Sequence, residues 1–124
     1  MDSLYQEHIL EHYKHPHNRR RMEDCDVKQK GENPTCGDDM VLYIKWDGDT
    51  VLDVSFEGFG CAISQSGASM LTDHVKGMSK DNIATLTEVD MYQLYGTPIS
   101  VQRANCALLA LRTLHEVVQV RLVP

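Results

Sequence analysis

The feature that most constrains this chain is the turn Asp47-Gly48-Asp49, set between two stretches of alternating hydrophobicity. Asp-Gly suits the positive φ angles of a tight hairpin turn. Before it, Met40, Leu42, Ile44 and Trp46 share one side under a period of two, and Val41 and Tyr43 share the other. After it, Thr50-Val51-Leu52-Asp53-Val54-Ser55-Phe56 reads as the return strand, ending at Glu57-Gly58-Phe59-Gly60. An antiparallel hairpin over residues 40–57 is the expected centre of the fold, with a further short strand near 25–29 that closes at Gly31-Glu32-Asn33-Pro34.

Helices flank the hairpin. Residues 3–14 read as one, with Ser3 as cap and Leu4, Ile9, Leu10 and Tyr13 near one face, stopped by Pro16 and Asn18. Residues 62–76 read as amphipathic: Ile63, Gly67, Met70, Leu71, His74 and Val75 form the buried stripe, the outer positions Ala62, Ser64, Ser66, Ala68 and Ser69 are small, and Gly77 is the stop. Short helices follow at Ser79 to Leu86 and Asp90 to Leu94, and a long last helix runs from about Val101 to Val120, with Ala104, Ala107, Leu108, Leu111, Leu114 and Val118 as its buried stripe. The expected architecture is α+β: a small antiparallel sheet of about three strands packed against helices, with a long C-terminal helix. At 124 residues the chain is the size of one domain, 1–124, and can bury a core without disulfide staples.

Charge and segment composition exclude several classes. A formal net charge of -6 argues against a general nucleic-acid binder and against docking on anionic membrane. Arg19-Arg20-Arg21 is the local exception: a solvated surface run, or a docking patch for an acidic partner. No secretory signal and no membrane-length apolar run is visible, so a cytoplasmic protein with reduced thiols is expected.

The four cysteines are the chemical signal. Cys25, Cys36, Cys61 and Cys106 include no C-x-x-C pair and are too few for a disulfide scaffold. Reduced thiols are inert core residues, catalytic groups or metal ligands. Cys36 lies in a glycine-flanked loop just before the first hairpin strand, and Cys61 directly after the second, at a helix start. The hairpin therefore brings these two thiols near each other. Cys106, near the start of the last helix, must be brought in by tertiary packing. Asp38 either adds an oxygen to that space or is a turn residue, while Asp39 suits solvent. The set Cys36, Asp38, Cys61 and Cys106 would suit zinc or an iron–sulfur unit. His8 and His12 have i, i+4 spacing without a third ligand in view, which favours surface or packing roles, and His74 reads as a partly buried core histidine.

The blocks Asn33-Pro34-Thr35-Cys36-Gly37-Asp38, Phe56-Glu57-Gly58-Phe59-Gly60-Cys61-Ala62-Ile63-Ser64 and Arg103-Ala104-Asn105-Cys106-Ala107 resemble the U-type iron–sulfur cluster assembly family (IscU, SufU and the NifU N-terminal domain). The opening helix, with Tyr5, Ile9-Leu10-Glu11-His12-Tyr13-Lys14, Pro16 and Asn18, matches as well. The resemblance implies that Cys36, Asp38, Cys61 and Cys106 are the metal or cluster ligands, and leaves Cys25 outside the set. It implies a scaffold that assembles a labile [2Fe–2S] cluster and passes it to iron–sulfur acceptor proteins. The alternative is a zinc-dependent sulfurtransferase taking persulfide sulfur from a cysteine desulfurase, with Cys36 as acceptor and Arg103 as auxiliary group, pairing with Asp38 or steadying the anionic sulfur. In either case a cysteine desulfurase is the implied partner, and Arg19 to Arg21 the patch for it. The second block and Arg103 look SufU-like, but the segment that SufU-type proteins usually carry between the second and third cysteines is absent. Asn105 stands where IscU-type proteins have histidine, and Gly96-Thr97-Pro98-Ile99-Ser100-Val101-Gln102 replaces their chaperone motif, which argues against a dedicated Hsp70-type partner.

Overall fold

The Asp47-Gly48 turn closes the hairpin it implies, with Gly48 at φ 62°. In the computed structural model, which describes residues 7–34 and 37–119, strands β2 (Asp38–Asp47) and β3 (Thr50–Phe59) pair antiparallel around it. A third strand, β1 (Val27–Asn33), pairs antiparallel with the other edge of β2. The sheet order is β1-β2-β3. The register sets Met40, Leu42 and Ile44 opposite Gly58, Phe56 and Val54, and every one of those side chains larger than glycine is buried. Between Lys45 and Trp46 the register slips, and Leu52 becomes the unpaired residue of a bulge. It is 56% exposed, and the extra residue lets both Val51 and Val54 reach the core.

β1 and β3 both end inside the glycine-containing blocks expected to close them, but they run further into those blocks than the segments 25–29 and 50–56. β1 does not close at Gly31 but runs through it to Asn33, because Gly31 is where the last helix lies on the strand: a Cβ there would overlap Thr113 Oγ1. β3 does not end at Phe56 but continues to Phe59. At Gly58 the backbone has φ 150° and a Cβ would strike the Asp39 carbonyl. These glycines allow close approach within the sheet layer rather than ending it.

Among the described residues five α-helices complete the fold: α1 (Glu7–Lys14), α2 (Ala62–Val75), α3 (Lys80–Ala84), α4 (Glu88–Tyr95) and α5 (Ala104–Gln119). A single 3₁₀ turn, Val101–Arg103, leads into α5. α2 packs against α1, β3, α4 and α5, and α5 against β1. α2 is therefore the central helix, and its small residues are not an outer face as expected. Ser64, Ser66, Ala68 and Ser69 are all buried. Buried hydroxyls return to the helix backbone, as when Ser66 donates to the Ala62 carbonyl at 2.7 Å. Within the expected stripe Ile63, Met70, Leu71 and Val75 are buried, but His74 is exposed, contrary to its reading as a core residue. The helix ends at Val75. Gly77, at φ 83°, does not cap it but donates its N–H to the Val51 carbonyl at 2.9 Å, docking the chain back on β3.

α1 is anchored by Ile9, fully buried, while Tyr13 is 46% exposed rather than part of the buried face. Ser3, Leu4 and Tyr5 lie outside the described residues, as does Val120. α4 starts earlier than Asp90, because Thr87 and Asp90 cap each other reciprocally. The basic run is engaged with its own chain: Arg19 donates to the Gly58 carbonyl at 3.1 Å, Arg20 pairs with Asp53 at 2.5 Å and Arg21 with Glu23 at 3.0 Å. No helix among the described residues is long and apolar enough to cross a membrane.

Candidate metal centre

Three segments far apart in sequence meet at one point. Asp38 opens β2, Cys61 is the residue that caps α2, and Cys106 lies in the first turn of α5. A carboxylate oxygen of Asp38 and the two sulfurs all lie within 4.8 Å of one another. Asp38 and Cys106 are buried, and Cys61 is half-buried. Cys36 lies outside the described residues, but its neighbour Gly37 lines the cleft onto which Asp38, Cys61 and Cys106 open. Cys25 is half-buried and no member of this group.

Local chemistry explains why the carboxylate sits there. Where β3 hands over to α2, Gly60 allows the backbone to lie against Asp38; a Cβ at Gly60 would overlap Ser64 Oγ and stand 2.8 Å from Asp38 Oδ1. The Cys61 N–H then donates to Asp38 Oδ1 at 3.1 Å. This satisfies a backbone donor at the start of α2 and leaves the Cys61 sulfur free of any capping bond. The positive end of the α2 dipole faces the same groups. Among the described residues the second oxygen, Asp38 Oδ2, is buried without a hydrogen-bond partner. Native folds rarely leave such an atom bare, since the lost hydration costs about 1–3 kcal/mol or more. A cation held jointly with two thiolates is what that oxygen fits, and a carboxylate with thiols is a donor set that zinc and iron accept.

Two supporting residues escaped the sequence reading. Asn33, at the end of β1 and opposite Asp38 in the ladder, points its Nδ2 at Cys106 Sγ, 3.9 Å away. Tyr95, fully buried on α4, sets its hydroxyl between the carbonyls of Ile63 at 3.1 Å and Ala107 at 3.0 Å. It thus ties the first turn of α2 to the first turn of α5, beside the two cysteines. Burial, reinforced by Cys61 and Cys106, pushes the Tyr95 phenol well above its ordinary range, so it is a hydroxyl donor at any ordinary pH. Only the tertiary fold reveals this role, because the two acceptors are backbone atoms.

Arg103 is half-buried and lines the cleft; of the two roles expected of it, pairing with Asp38 is not made, since Oδ1 takes the Cys61 N–H and Oδ2 has no partner among the described residues. Asn105 is exposed and turned along the helix, where its Oδ1 accepts from Arg112 at 3.0 Å.

Residues 4–120 match the NifU-like N-terminal domain. The chain belongs to that family. Among curated relatives of this NifU-like domain is the zinc-dependent sulfurtransferase SufU of Bacillus subtilis, 42% identical over 95 residues. That match covers 75% of this chain and 64% of the Bacillus protein, less than two thirds of its length. The iron–sulfur cluster assembly scaffold protein IscU of Streptococcus pyogenes is 35% identical over 112 residues, covering 89% of this chain and 70% of that protein. Among solved structures, the "putative iron-sulfur cluster assembly scaffold protein for SUF system" of Fervidobacterium islandicum superposes with a TM-score of 0.82 at 28% identity, covering 93% of this chain and 96% of that one. The fold of this domain is thus shared over nearly the whole of both chains.

Proposed function

We propose that this NifU-like domain is a scaffold that assembles a labile [2Fe–2S] cluster on Cys36, Asp38, Cys61 and Cys106 and passes it to acceptor proteins. The observation that carries the proposal is the buried, unpartnered Asp38 oxygen beside two thiols. Thiolates hold iron in clusters firmly, whereas a carboxylate is a harder and weaker partner. A mixed set therefore favours release, which a carrier has to achieve and an electron-transfer protein has to avoid. In this reading residues 1–124 act as one domain in the reducing cytoplasm, a cysteine desulfurase supplies the sulfur, and iron–sulfur apoproteins take the product.

A second reading rests on the similarity to a zinc-dependent sulfurtransferase. Zinc bound by the same residues would supply the charge that keeps thiols deprotonated. Cys36, on its glycine-flanked loop, would then take the outer sulfur of a desulfurase persulfide, with Arg103 across the cleft steadying the anion. Anaerobic purification followed by elemental analysis and a visible spectrum separates the two. Iron, sulfide and a brown, oxygen-sensitive chromophore are expected. Stoichiometric zinc without a chromophore, together with faster desulfurase turnover when this protein is added, moves the assignment to sulfur transfer.

The core does not depend on metal for its burial. Met40, Leu42, Ile44, Val54, Phe56, Ile63, Leu108 and Leu111 are all at most 3% exposed. Chelation is therefore expected to leave the far-ultraviolet circular dichroism of the chain intact. Loss of the helical signal on chelation would instead make the site a structural metal module.

A further inference from the structure

A second group of metal-ligating side chains lies at the other end of α2. His12 of α1, His17 of the loop that follows and Asp73 of α2 present ligand atoms that all lie within 4.8 Å of one another. Cys61 and Asp73 are separated by most of α2, about 18 Å at roughly 1.5 Å per residue, so the two groups cannot share an ion. His8 does not join them, because its Nε2 is turned to the Tyr95 carbonyl at 2.6 Å.

The surroundings hold these side chains as ligands are held. His12 Nδ1 is 2.7 Å from Ser69 Oγ, which leaves Nε2 as its free nitrogen. The same Ser69 oxygen accepts the His17 backbone N–H at 2.7 Å, fixing the loop that carries the second imidazole. Asn18 donates to Asp73 Oδ1 at 2.8 Å, so the carboxylate is pinned with Oδ2 toward His17 Nδ1, 2.5 Å away. Metal-binding histidines usually have their other ring nitrogen occupied, as His12 has through Ser69, and their carboxylate neighbours are similarly pinned, as Asp73 is by Asn18. The His12 and His17 rings meet with centroids 4.5 Å apart. The side chains of His17 and Asp73 are 49% and 42% exposed, so the group opens to solvent and can be entered.

The geometry points to a second metal site on His12, His17 and Asp73, which takes a borderline divalent transition-metal ion such as Zn²⁺ or Fe²⁺. Two imidazoles and one carboxylate suit these ions, whereas Mg²⁺ and Ca²⁺ want oxygen ligands. The ion would take the place of the proton between His17 Nδ1 and Asp73 Oδ2, and a neutral imidazole would then carry its proton on Nε2. The two atoms would separate to roughly 3.3 Å, the spacing of neighbouring ligands around a zinc ion with bonds near 2.0–2.1 Å. Three protein ligands leave at least one position for water or an external group.

Cobalt titration of the full-length reduced chain tests this. Cobalt on thiolates gives an intense charge-transfer band, and cobalt on nitrogen and oxygen does not. The wild-type chain is expected to bind one Co²⁺ equivalent that adds nothing to the thiolate band. Asp73→Asn and His17→Gln should each weaken that equivalent at least about tenfold and leave the thiolate band unchanged. Absence of a thiolate-silent equivalent from the wild type, or its survival in both variants, overturns the proposal. A measurement on the unaltered chain makes the result independent of how the variants fold. Ni²⁺ added in small steps should broaden the ring proton signals of His12 and His17 before those of His15 and His74; the reverse order overturns the proposal.

Discussion

Asp38→Ala is expected to lengthen the life of a cluster bound to this domain several-fold. Asp38 Oδ1 is already committed to the Cys61 N–H, so the carboxylate reaches the site only through Oδ2. A single hard oxygen is the weakest member of a set that otherwise consists of thiolates. In a buffer containing a small thiol, removing it opens that position to a soft external sulfur, which iron in a cluster holds more firmly. The apoprotein should tolerate the change. The Cys61 N–H loses its acceptor, at about 1–3 kcal/mol, but the bare buried oxygen disappears as well, and the two effects oppose each other. The measurement is the decay of visible cluster absorbance under one fixed anaerobic buffer. Equal or faster decay in the variant would show that Asp38 retains the cluster rather than releasing it. Asp39→Ala is the control, since Asp39 only half-buries and its Oδ1 reaches the Phe59 N–H at 3.4 Å.

Gly67→Ala is expected to be the most damaging small change in the core. In an ordinary helix interior this substitution gains about 1 kcal/mol. Here the new methyl would overlap the Tyr95 hydroxyl and stand 3.2 Å from Met91 Cε. Overpacking costs about 1–3 kcal/mol, and pushing Tyr95 off the Ile63 and Ala107 carbonyls adds roughly as much again. The net expectation is a loss of about 3 kcal/mol, read as a lower urea midpoint at unchanged slope. Tyr95→Phe removes the atom that the methyl strikes, so the double variant should be less destabilised than the two single changes added together, by at least about 1 kcal/mol. Strict additivity would mean that the hydroxyl and Gly67 are not in register, and that the tie between α2 and α5 does not depend on this fit.

Much of the frame was legible because its signals are local. The Asp47-Gly48 turn, the alternation on both sides of it and the spacing of Ala107, Leu108, Leu111 and Leu114 each require only neighbouring residues. The errors came where long-range packing overrides local preference. Gly31 and Gly58 look like strand ends until Thr113 and the Asp39 backbone are placed against them. The serines of α2 look like a solvent face because a helix buried nearly all round has no polar side for periodicity to find. At the metal centre, the hairpin pointed Cys36 toward Cys61 and left Asp38 open between a ligand and a turn residue, whereas the place of Cys106 came from resemblance rather than from spacing. The pair of His12 and His17 with Asp73 stayed invisible, because contact between α1 and α2 is a tertiary fact and the histidines' sequence neighbours carry no third ligand.

The three-element construction of the centre also has a kinetic meaning. Closing the hairpin brings Asp38 and Cys61 together across a short loop, a small loss of chain entropy. Cys106 arrives only when α5 lies down on β1 and α2, a contact between distant parts of the chain and one that forms slowly. The complete grip is therefore among the last things folding produces. A cargo held by all three elements binds the finished structure and not its precursors. It would act as a brake on unfolding, visible in the unfolding arm of a chevron, while the refolding arm keeps the speed of the empty chain.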